Sequence, residues 1–266
     1  MTILKWPGGK KWLYAKHPHV FPKKEEYKRY VEPFFGGGSV FFNLKPKRAL
    51  CSDVNSRLIN FYESLKIHPE TIYNETLKLL DSHSKKQYLK IREEFNLLNE
   101  NIDQAIFFLY LNRTCFNGVY RENAKGEFNV PMGSTQYFPF KKIDFLNFSK
   151  DLGSATLKNS DFREILKEAK KGDFIYVDPP YIKYEKNYDA FRKYNKKVFS
   201  RKDLEDLAFE LNTLKSKCKI LISNFDLPFV KELFKDWSYM EIEQRTSISG
   251  TAKGRKLVKE ALIYNY

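Results

Sequence analysis

Cysteine is scarce in this chain. Cys51, Cys115 and Cys218 stand far apart among 266 residues, and the four histidines complete no metal-ligand pattern with them. His17 and His19, two apart in a Lys- and Pro-rich stretch, read as loop or surface residues. Disulfides, structural zinc and metal chemistry are therefore not expected. Long apolar runs are missing too. The start "MTILKWPGGKK" has no extended apolar stretch behind a basic segment, and no later run approaches the roughly 20 residues of a membrane span. No membrane association is expected, and the cytoplasm is the expected location. Acid is in deficit: 33 Asp and Glu face 47 Lys and Arg, a formal charge of +14 and a pI near 9.4. Such a surface attracts a polyanion, and 16% aromatic residues supply faces on which bases stack. Nucleic acid is the expected partner, and the nucleoid the expected place when bound.

What is present divides the chain. "YKRYVEPFF" and "KRALCSDV" read as short strands around a glycine cluster. Helical periodicity then runs through "SRLINFYESLKIHPETIYNETLKLLDSHS", "KKQYLKIREEFNLLN" and "NIDQAIFFLYLNRT", which predicts a helical insert over about 57–113. It ends in "CFNGVYRENAKGEFNVPMG", whose Asn-Gly and Lys-Gly steps predict a hairpin or paired loops. From about residue 150, strand and helix signals alternate through "ATLKNSD", "FREILKEAKK", "GDFIYVDPPY", "RKDLEDLAFELNTLKSK", "CKILISNFD" and "KEALIYNY". That alternation predicts a parallel α/β sheet. Residues 182–200 are polar, aromatic and aperiodic, which fits a mobile loop beside a site. There is no internal repeat or low-complexity linker.

The chemistry-bearing residues gather in three places. Gly36, Gly37 and Gly38 follow a strand signal and precede a helix signal, so backbone can approach a ligand at a strand's carboxyl end. Asp53 ends the next strand signal, where an acid accepts hydrogen bonds from a ribose. Asp178, Pro179, Pro180 and Tyr181 follow the apolar "FIYV" run. Two prolines refuse both helix and sheet and remove two amide donors. They leave a stiff shelf with free carbonyls, a carboxylate at one end and a flat ring at the other, suited to gripping something planar that carries hydrogen-bond donors.

Together with "LKWPGGK", "VEPFFGGGSVF", "LYLNRTCFNG" and "GEFNVPMG", this shelf resembles the Dam-type family of site-specific DNA adenine methyltransferases, the D12 class. The match spans most of the chain, in family order. The glycine segment precedes the insert and "DPPY" follows it, the alpha arrangement. Pro7 stands where alanine is frequent, and "RTCFNGVYR" varies in its middle positions. The resemblance implies a Rossmann-like S-adenosylmethionine-dependent methyltransferase sheet with a helical insert and hairpin for DNA recognition. Residues 1–56 and 150–266 would form the catalytic domain, and 57–149 the target-recognition domain with its hairpin at about 114–134.

The implied cofactor is S-adenosyl-L-methionine. Trp6 would lie against it, Lys10 would meet its carboxylate, Asp53 would hold its ribose, and Asp178 would complete the site. Phe35 and the three glycines would shape the floor, with Asp161 and Phe162 facing the adenine ring. Adenine's exocyclic amine is a poor nucleophile because its lone pair is delocalised into the ring. The Asp178 carboxylate and Pro179 carbonyl would accept its two hydrogens while Tyr181 stacks on a flipped base. Double-stranded DNA would be read by Arg113, Phe116, Asn117, Arg121, Asn123 and Lys125. In that set Arg121 suits a guanine edge and Phe116 a wedge. A short palindrome, GATC foremost, is the implied site. The alternatives are methylation of RNA or a protein amide, and a silent DNA-binding relative.

Overall fold

The computed structural model of the chain describes residues 2–134, 136–181, 199–245 and 257–266, with backbone alone at 244, 245, 257 and 258. The loop expected at 182–200 lies outside them except for its last two residues. Seven strands form one sheet: β1 (Arg29–Glu32), β2 (Ala49–Asp53), β3 (Ala155–Asn159), β4 (Asp173–Val177), β5 (Lys219–Phe225), β6 (Ser238–Arg245) and β7 (Leu257–Tyr264). Their order is β3-β2-β1-β4-β5-β7-β6. β1 to β5 pair in parallel. Every residue of β4 is buried, as a central parallel strand covered on both faces requires.

Side chains alternate across the sheet. Tyr30, Phe174, Tyr176 and Leu221 join one apolar cluster, while their neighbours Val31, Ile175, Val177 and Ile222 join the other. The first face is covered by α1 (Lys11–Lys16), α2 (Ser39–Leu44), α3 (Ser56–Ile67) and the helices that follow: α4 (Pro69–Asp81), α5 (Lys85–Leu97), α6 (Ile102–Thr114) and α7 (Lys142–Leu152). The second is covered by α8 (Phe162–Lys167), α9 (Arg201–Leu214) and α10 (Pro228–Leu233). This is a doubly wound, Rossmann-like α/β architecture. Among the described residues no helix is long and apolar enough to cross a membrane.

Helix starts follow capping chemistry. Asn55, Ser84 and Asn101 each accept a backbone N–H three residues on, opening α3, α5 and α6, which satisfies a donor the first turn leaves free. α6 is buried nearly all round and forms the axis of the insert. α3 lies against the sheet itself: Tyr62 meets Phe35 with ring centres 4.9 Å apart, and Lys66 Nζ donates to the Ala155 carbonyl at 2.8 Å.

Two features depart from expectation. The sheet is not wholly parallel, because β7 runs antiparallel to both β5 and β6; inward–outward alternation is the same for either direction and cannot reveal it. The stretch leading from the hairpin to residue 150 also holds a helix, α7, which buries Phe145, Phe148 and Leu152.

Candidate active site

β1 lies between β2 and β4, so the chain departs from it in opposite directions, and a crevice opens at the strands' carboxyl ends. Four acids collect along that edge: Glu32 closes β1, Asp53 closes β2, Asp161 follows β3 and Asp178 follows β4. The glycine turn sits among them. Gly36 and Gly38 have φ of 47° and 62°, values that favour glycine. Close approach adds to this. A Cβ at Gly36 would stand 2.9 Å from the Trp6 ring, and one at Gly37 3.0 Å from its Cβ. Trp6 in turn stacks on Tyr120, ring centres 5.5 Å apart and planes 24° from parallel.

Phe35, expected at the floor, points instead into the core, 2% exposed and edge-on to Tyr62 and Phe41. The preceding residue faces the other way, as strand-like alternation dictates. Phe34 stacks on Phe162 at 5.3 Å and meets Phe199 edge-on. Asp53 accepts the Gly36 N–H at Oδ2 and the Asn55 N–H at Oδ1, each at 3.0 Å. Burial raises its carboxyl and these bonds lower it. Asp161 caps α8 and pairs with Arg163, whose guanidinium also grips Asp203 and Asp206 and lies 4.4 Å from the Phe162 ring centre.

At the shelf, Asp178 Oδ1 accepts from Ser223 Oγ at 2.7 Å and stands 3.2 Å from Lys10 Nζ. Among the described residues no donor reaches Oδ2. Lys10 is 2% exposed; its ammonium also lies 3.5 Å from Glu260 Oε2, donates to Gly8 O and sits 4.5 Å from the Tyr181 ring centre. Tyr181 donates its hydroxyl to Glu260 Oε2 at 3.1 Å and rests on Phe225, centres 4.4 Å apart. Ser223, Glu260 and the buried Glu32, which accepts from Tyr30 at 2.8 Å, escape the sequence reading. Ser223 hides in an apolar strand, and Glu260 reads there as an ordinary outward acid.

The six residues expected to read DNA do not stand alike. Cys115 pairs with Met132 and Glu122 with Phe128 in antiparallel bridges, so 115–132 is hairpin-like. Phe116 is 53% exposed, and Asn117, Arg121 and Lys125 are exposed as well. Arg121 Nε donates to Asn129 Oδ1 at 2.9 Å. Asn123 shapes the tip, accepting from the amides of Lys125 and Glu127, a turn that asparagine side chains favour. Arg113 is different: it is 5% exposed, donates to the carbonyls of Thr2 and Ile3 and lies over Phe140. Burial lowers its guanidinium to about 10. Its donors are turned inward, and Arg113 keeps only a small exposed edge that lines the cleft beside Asn117.

α5 and α3 hold the hairpin in place. Asn96 brackets Phe128, accepting its N–H at 2.8 Å and donating to its carbonyl at 3.1 Å. Tyr88 and Arg92 donate to Val130 O, and Arg57 to Gly126 O. A cleft of about 440 Å³ runs between hairpin and glycine turn, lined by Lys5, Trp6, Pro7, Gly37, Asn117 and Val119 among others. Among the described residues no three acid, histidine or cysteine side chains gather as a metal site.

The family described as D12 class N6 adenine-specific DNA methyltransferase matches residues 6–248. A type II methyltransferase of Lactococcus lactis subsp. cremoris is 35% identical over 277 residues, covering 98% of this chain and 94% of its own length. A DNA adenine methylase of Serratia marcescens is 32% identical over 98% of this chain and 97% of its own. The DNA adenine methylase of Vibrio cholerae serotype O1 (strain ATCC 39541 / Classical Ogawa 395 / O395) is 35% identical over 98% and 94%.

Proposed function

The chain belongs to the D12 class of N6 adenine-specific DNA methyltransferases, and from that premise we propose that it methylates the exocyclic amine of adenine within a short duplex palindrome, GATC, using S-adenosylmethionine and a base flipped onto the shelf at 178–181. It is an enzyme that modifies adenine in DNA. The donor set suits that cofactor. An edge bearing Glu32, Asp53, Asp161 and Asp178 against the buried ammonium of Lys10 favours a cationic ligand rich in hydroxyl and ammonium donors. Asp53 holds the ribose, the half-buried Phe34, backed by the buried Phe162, borders the base of the cofactor, and Lys10 meets its carboxylate. When bound, the cofactor supplies an electrophilic methyl on a sulfonium.

The chain's own residues prepare the nucleophile. Asp178 Oδ2 and the Pro179 carbonyl accept the two amine hydrogens, returning the lone pair to nitrogen, and after transfer the surplus proton passes to the Asp178 carboxylate and on to solvent. Tyr181 supports the extruded base by stacking. Alignment and fixed charge carry the rate. The Oδ2 of Asp178, which no donor among the described residues reaches, beside an Oδ1 already taken by Ser223 and Lys10, is the observation that carries this reading. Residues 57–149 serve target recognition, and the flanking segments serve catalysis. Phe116, Asn117, Arg121, Asn123 and Lys125 provide the DNA-facing set, with Arg113 holding the hairpin's base to residues 2 and 3.

Tritium transfer from labelled S-adenosylmethionine to duplex DNA, RNA and protein tests the substrate class, and sequencing of the methylated DNA tests the site. N6-methyladenine within GATC is expected. Label confined to cytosine, RNA or protein overturns the reading, and methyladenine only outside GATC overturns the site assignment alone.

A further inference from the structure

Glu260 brings a second carboxylate to the shelf from β7, two strands along the sheet from β4. It lies on β7 beside Phe225 of β5, with its side chain 13% exposed. Its Oε2 holds two partners at once, the Tyr181 hydroxyl at 3.1 Å and the Lys10 ammonium at 3.5 Å. That ammonium also stands 3.2 Å from Asp178 Oδ1. One cation thus serves two acids, and the cluster of Lys10, Asp178 and Glu260 carries a net negative charge. Packing alone does not call for an acid here, since desolvating a carboxylate is costly. Burial raises the Glu260 carboxyl, against the pull of Lys10.

A lysine devoted to Asp178 alone would neutralise it and weaken it as a hydrogen-bond acceptor. A second acid that shares the lysine leaves Asp178 its acceptor strength. We propose that Glu260 is a positioning residue for methyl transfer: it divides the charge of Lys10 with Asp178 and fixes Tyr181 through its hydroxyl, leaving Asp178 Oδ2 an unneutralised acceptor. This rests on the reading of the shelf as the adenine pocket.

Glu260→Gln keeps the shape and an oxygen for Tyr181 while removing the charge. With the full-length enzyme, the single-turnover rate on cognate duplex should fall roughly tenfold, the scale on which members of one bonded network couple. KM for DNA and for S-adenosylmethionine should stay within about twofold, as for an interaction made mainly in the transition state. In a Lys10→Met background the same substitution should cost no further rate. A wild-type rate for Glu260→Gln, a loss confined to KM, or a full second loss in the Lys10→Met background overturns the inference. Asp178→Ala run in parallel separates the two readings: if it stays active the shelf itself is misread, whereas if it is inactive beside a fully active Glu260→Gln only the role of Glu260 falls.

Discussion

At the shelf, charged groups face one another inside the fold; at the hairpin they face out. Lys10, Asp178, Tyr181, Ser223 and Glu260 come from widely separated segments and lock together within 2.7 to 3.5 Å. The hairpin is pinned largely by hydrogen bonds from Asn96, Tyr88, Arg92 and Arg57 to its backbone, while Phe116 and Arg121 stay exposed. On the proposed function the two regions answer different demands. Chemistry on a weak nucleophile needs fixed, partly desolvated charge. Reading a polyanion needs charge in solvent, on a base stiff enough to hold register.

The contrast can be broken most sharply at Asp178. Asp178→Ala should lower the single-turnover methylation rate on the order of a hundredfold or more, the effect of losing one preorganised electrostatic contact; rapid-quench tritium transfer measures it, and near-normal turnover would remove the distinction. At the neighbouring edge, Asp53→Ala should weaken S-adenosylmethionine by roughly 1.5 to 3 kcal/mol, as for a charge-assisted bond, with DNA affinity kept. Calorimetry of the folded variant decides, and unchanged cofactor affinity returns Asp53 to the role of a turn-former for Gly36 and Asn55.

Two arginines sharpen the comparison further. Arg121→Ala should lose about 1 to 3 kcal/mol of discrimination at one base pair, whereas Arg113→Met should lower stability by about 1 to 3 kcal/mol through its lost carbonyl bonds and leave the salt dependence of DNA binding alone. Competition binding at two salt concentrations, beside urea unfolding, separates them. If Arg113→Met makes the salt dependence shallower, the inward reading of Arg113 fails.

The smallest effect is a slope. Burial pushes the Glu32 carboxyl well above its ordinary 4.5, with Tyr30's bond opposing. Its stabilising contribution is complete below the unfolded value and is lost as pH rises through the folded one. Glu32→Gln removes that loss, so over pH 5 to 8 its unfolding free energy should fall less steeply, by up to about 1.4 kcal/mol per pH unit. Parallel slopes for variant and wild type would show that Glu32 is not the group responsible.

Much of this frame is readable in the chain. The apolar run before "DPPY" announces β4, the positive-φ glycines announce the turn after β1, and helical spacing announces α3 to α6. What escapes does so for physical reasons. α7 lies in a stretch where Phe138 and Phe140 blur its period. The direction of β7 leaves no trace in alternation. Glu260, Ser223 and Asn96 act through partners tens to hundreds of residues away, so their neighbours in sequence say nothing of them. That Arg113 is largely buried is likewise hidden, because packing, not residue type, decides whether a guanidinium meets solvent.

β7 slots between β5 and β6 and carries Glu260 to a lysine 250 residues earlier. A ribosome must therefore deliver residues 257–264 past its exit tunnel before the shelf can close around Lys10. Contacts across so long a loop are costly in entropy to close, and the nascent chain acquires the complete shelf only with that strand.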